Sequence, residues 1–70
     1  MFEEFDVVLL KSSVEGSDVP PGAEGVIVHV HTTPRIAYLV EFCNSNGETI
    51  DLVSLLPEQI EHAQKLKQAA

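Results

Sequence analysis

Seventy residues, with four Lys+Arg against eleven Asp+Glu and a net charge of −7, make one domain, because two cores cannot be built from so little chain. The charge excludes nucleic acid and anionic membranes as partners. Phosphate binding needs clustered cations, and the four here (Lys11, Arg35, Lys65 and Lys67) are scattered along the chain. A basic protein surface would attract this molecule.

Cys43 is the only cysteine, so no disulfide can form within the chain, and a lone thiol suggests a reducing compartment. The start, Met1-Phe2-Glu3-Glu4, is acidic and unlike a signal peptide. Unbroken apolar runs such as Val7 to Leu10 fall far short of the ~20 residues that cross a bilayer. The expectation is a soluble, cytoplasmic protein. So short a chain buries only about 60% of its unfolded surface. Assembly with another chain, a metal or a well-packed core must make up the difference.

In chain order, period two comes first. Phe5, Val7 and Leu9 share one face of a strand, and Asp6, Val8 and Leu10 the other. Lys11 to Gly22 is a long loop rich in Ser, Gly, Asp and Pro, and its Pro21-Gly22 pair favours a turn. Ala23 to His31 reads as a strand, with Val26, Val28 and Val30 on the core face and His29 and His31 opposite. Thr32 to Arg35 is a hairpin connection. Ile36 to Cys43 is a strand with Tyr38, Val40 and Phe42 facing together. Asn44-Ser45-Asn46-Gly47 is a tight turn. Glu48 to Val53 follows, with Ile50 and Leu52 expected inward. Period two then stops. Pro57 suits the first position of a helix, Glu58 and Glu61 suit its start, and Lys65 and Lys67 its end. Ile60, Ala63 and Leu66 form its thin apolar stripe. The reading is a mostly β, small barrel over 1–56, of four to five antiparallel strands, with a C-terminal helix and tail over 57–70 in the same domain.

The string Pro21-Gly22-Ala23-Glu24-Gly25-Val26-Ile27-Val28-His29-Val30 resembles the "G-x-x-G-x-V" second strand of small SH3-like barrels. Phe5 to Leu9, Ala37 to Phe42, Asn46 to Thr49 and Leu52 to Leu55 extend the likeness. Together they are similar to a family of short bacterial proteins of unknown function. That resemblance implies an SH3-like barrel. Members often lie beside genes for toxin-like proteins, which implies an antitoxin-like or accessory binding role. It carries no catalytic residues. Family members tend to end soon after a short last strand, whereas Glu61 to Ala70 here looks helical.

His29 and His31, two apart on one strand face, are the candidate metal pair. They need at least one further ligand, such as His62, Cys43, Glu41 or Asp51. The plainer reading is two surface histidines, and neither a metal nor a cofactor is expected. Glu41, Glu48 and Asp51 are close enough in sequence to form a carboxylate group across a hairpin, or simply a solvated face. Nothing sets a base beside Cys43, so catalysis is not expected. The candidate partner-binding residues are Glu15, Asp18 and Glu24 in and after the long loop, Tyr38, and Ile60 and Leu66 on the helix. The function expected is a small acidic protein-binding module, antitoxin-like, whose partner carries a basic surface. The alternative is a homo-oligomer formed through an edge strand and the C-terminal helix.

Overall fold

Alternating branched and polar side chains favour a pleated, half-buried surface, and each such stretch builds a strand. The computed structural model describes residues 2–63. Its strands are β1 (Val7–Leu10), β2 (Glu24–His31), β3 (Ala37–Cys43), β4 (Thr49–Leu55) and β5 (Ile60–His62). They form one antiparallel open sheet in the order β4-β3-β2-β1-β5. The Asn44–Gly47 turn is built as expected. The Asn44 side-chain oxygen accepts the N–H groups of Asn46 and Glu48 at 2.9 and 3.0 Å.

The expected helix from Pro57 is corrected. Pro57–Gln59 is a single 3-10 turn, and the chain from Ile60 is β5. The Ile60 N–H closes the turn on the Pro57 carbonyl, and Ile60 then takes an extended conformation. The Leu56 N–H is met by Gln59 Oε1 at 2.7 Å. A lone short helix is marginal in water. Pairing with β1 instead buries Ile60 opposite Leu10 and gives β1 its second neighbour. Gln64 to Ala70, including Leu66, lie outside the described residues.

Two bulges correct the expected faces. Along β2 the register steps from Ile27↔Val40 to His29↔Leu39, so Val28 is an extra residue. One inserted residue exchanges the two faces of a strand. Gly25 and Ile27 therefore point into the core before the bulge, and Val26 is 36% exposed rather than buried. Beyond it the expected parity returns, with Val30 packed against the core and His29 and His31 exposed. In β4 the register steps from Phe42↔Asp51 to Cys43↔Thr49, leaving Ile50 as the extra residue. Ile50 and Leu52, expected inward, are 40% and 52% exposed. Val53 and Leu55 take the inner face.

The core gathers Val8, Leu10, Ile27, Tyr38, Val40, Phe42, Leu55 and Ile60 inside the curve of the sheet. Val19, from the long loop, completes it at 2% exposure. The loop runs back on itself. The Leu10 N–H bonds the Ala23 carbonyl and the Gly22 N–H bonds the Leu10 carbonyl. Pro20 to Ala23 forms a turn closed from the Ala23 N–H to the Pro20 carbonyl, and Gly22 supplies the positive φ (+88°) that this turn requires. Ser17 then fastens the loop to β4, donating its hydroxyl to Asp51 Oδ2 at 2.8 Å and accepting the Val19 N–H. At the other end of the sheet, Phe2 sets its ring edge-on to Tyr38 and against His62, while His62 Nε2 lies 3.3 Å from Asp6 Oδ2.

Candidate functional site

The outer face of the sheet carries the unassigned chemistry. Cross-strand partners share a face, so the register places Val7, Val26, Glu41 and Leu52 in one row across β1 to β4. Leu9, two residues from Val7, lies opposite both Glu24 and Glu61 on that same side. Val26 and Leu52 are exposed here because of the two bulges. An open groove of about 260 Å³ lies on this face, lined by Val7, Glu24, Gly25, Val26, Glu41, Cys43 and Asn44. The Gly25 position points inward. A Cβ there would come within 2.7 Å of Val40 Cγ1 and 2.8 Å of Phe42 Cδ1. Only glycine lets β2 lie this close to the core while its backbone forms the groove.

Three carboxylates share this face with the apolar residues: Glu24 and Glu61 on either side of Leu9, and Glu41 between Val26 and Leu52. Glu41 is held by the Thr49 hydroxyl, which donates to Oε2 at 2.7 Å. Among the described residues the one ion pair is His62–Asp6. Lys11 and Arg35, the cations among those residues, therefore neutralise none of the three. Phe5 adds a further exposed ring (70%), at a left-handed φ of +72° that is unusual for a bulky residue.

The residues expected to bind a partner are divided by this geometry. Glu24 lines the groove. Glu15 and Asp18 are exposed on the long loop, outside the groove. Tyr38 and Ile60, expected at a contact surface, are 1% and 2% exposed. Both are corrected to core residues, because β3 alternation turns Tyr38 inward and β5 pairing buries Ile60. His29 and His31 sit ring edge against face with centroids 4.5 Å apart. Among the described residues, no three or more His, Cys, Asp or Glu side chains gather as a metal would need. Glu41, Glu48 and Asp51 do not act as one carboxylate group. They take Thr49, Asn44 and Ser17, respectively, as partners. Cys43 is an exposed free thiol. Val7 and Val26 were not legible as surface residues, since only the bulge at Val28 sets the parity of Val26.

These features define a small, open, antiparallel β domain whose outer face interleaves exposed apolar residues with carboxylates. The chain belongs to the family described as a domain of unknown function (DUF4926), which it matches over residues 4–62. No curated protein and no solved structure matches it. No helix among the described residues is long and apolar enough to cross a membrane.

Proposed function

We propose that this chain is a protein-binding module with an SH3-like barrel fold, and that it binds a basic protein through the outer face of its sheet without catalysing a reaction. Three features support the fold reading: the strand order, the long folded loop between β1 and β2, and the 3-10 turn between β4 and β5. The observation that carries the function is the pairing of exposed Val26 and Leu52 with carboxylates that no described cation neutralises. Exposed apolar side chains gathered on one face of a small domain are a contact surface to test, and carboxylates of one sign among them select the partner's charge and speed encounter. The antitoxin-like role implied by the family resemblance is a special case, in which the partner is a basic, growth-inhibiting protein.

Two features weigh against the alternative, a homo-oligomer through the β4 edge. A chain of charge −7 repels its own copy. The edge also carries the Ile50 bulge and Asp51, whose Oδ1 accepts the Leu52 N–H at 2.9 Å. Bulges and edge charges are devices that discourage strand addition.

The test is capture at low salt from native lysate, using the intact chain and a Val26→Asp/Leu52→Asp variant matched to it in circular dichroism. The intact chain should retain a basic protein and the variant should lose it. Capture of no partner, or equal retention by both forms, would refute this reading.

A further inference from the structure

The groove is too small for a folded element and too polar at its border for a plain aliphatic side chain. Its walls, Val7 and Val26, are apolar. Glu24 and Glu41 stand beside them, with Asn44 also in the lining. Of the two Glu41 oxygens, Oε2 is engaged by Thr49, and Oε1 has no hydrogen-bond partner among the described residues. Lysine and arginine match such a lining, because they lay an aliphatic stem along apolar surface and carry the charge at its end. A volume of about 260 Å³ accommodates one long side chain.

From this geometry we infer that the groove between β1, β2 and β3 is a receptor for a single cationic side chain of a partner protein, its stem on Val7 and Val26 and its charged head between Glu24 and Glu41. The inference rests on the protein-binding reading and adds the chemistry of the anchor. A guanidinium is the better fit of the two heads. Its planar fork can bond carboxylates on neighbouring strands at once, and it is less strongly hydrated than an ammonium. The partner then needs one accessible arginine or lysine with apolar neighbours that reach Leu52 and Leu9.

The experiment is a titration of the isotope-labelled full chain, followed by amide chemical shifts, at constant ionic strength. The probes are N-acetyl-arginine methylamide and its citrulline counterpart, which keeps the stem and the planar head but carries no charge. The arginine probe should move the amides of Val7, Glu24, Val26, Glu41 and Cys43 in a saturable way, and the citrulline probe should not. Glu24→Gln and Glu41→Gln should each weaken the arginine response about fivefold, the scale of one exposed ion pair, with unchanged unfolding midpoints. Equal response to both probes, shifts confined to other residues, or no response would overturn the inference. Groove shifts that grow with protein concentration alone would assign the site to a second copy and overturn it as well. If the titration fails while capture of a basic partner still depends on Val26 and Leu52, the face binds without a cation receptor. If capture fails too, the binding reading falls with it.

Discussion

Replacing Gly25 with alanine tests how closely β2 must approach the core. The added methyl would lie 2.7 Å from Val40 Cγ1, and 2.8 and 2.9 Å from Phe42 Cδ1 and Cε1. Those separations fall short of the roughly 3.5–4.0 Å optimum for carbon pairs by at least about 0.6 Å. Both neighbours are fully buried. One is β-branched and the other a ring, so neither can swing aside as the tip of a surface chain would. Overpacking of this kind costs about 1–3 kcal/mol. Against it, alanine restricts the unfolded chain and returns about 0.4–1 kcal/mol. The net is a loss of about 1–2 kcal/mol, or roughly 5–15 °C in unfolding midpoint for a domain of this size. The sequence has no tryptophan, so far-ultraviolet circular dichroism is the natural probe, in heat and in urea. Val40→Ala removes one of the colliding atoms. The Gly25→Ala/Val40→Ala double variant should be less damaged than the sum of the singles by about 0.5–1 kcal/mol, as expected for residues in contact. An unchanged or raised midpoint in Gly25→Ala, or strict additivity in the double variant, would refute the close-approach argument.

Ser17→Ala should lose about 0.5–1.5 kcal/mol and speed hydrogen exchange at Val19 and its loop neighbours while β3 amides stay protected; uniform acceleration would show that the loop is not separately fastened. Val19→Ala should cost about 2 kcal/mol from lost burial and the space left behind, read from the urea midpoint. A negligible cost would mean that the loop does not complete the core. Phe2→Ala should cost about 1–2 kcal/mol, since it removes two aromatic contacts along with buried area. It should also perturb the ring signals of Tyr38 and His62, and silence at both would deny the stacking.

Much of the sheet was legible because Val, Ile and aromatic residues alternate cleanly there. Tyr38, Val40 and Phe42 read as one face and do share one, although that face is the core and not the contact surface expected for Tyr38, and the Asn44–Gly47 turn carries its own side-chain bonds. The inner and outer faces of β2 and β4 were not legible. Each strand absorbs an extra residue, Val28 and Ile50, and neither is the glycine that would have signalled a bulge. The same blind spot hid the candidate site, because Val26 and Leu52 reach the surface only through that change of parity. The last strand was masked by good local helix chemistry around Pro57. The need of β1 for a second neighbour, a long-range demand, outweighed it.

Asp51 spends both of its oxygens on different parts of the molecule, one on Ser17 of the loop and one on its neighbour's amide in β4. Loop order and edge protection are thus linked at a single carboxylate. When the loop lifts away, that carboxylate gains freedom to rotate, and the Leu52 amide loses its guard just as Val19 leaves the core open. Edge pairing between chains would then begin from a locally opened form rather than from the native sheet. Any aggregation that starts at this edge should then depend on the loop, through the Ser17–Asp51 bond, as much as on the strand itself.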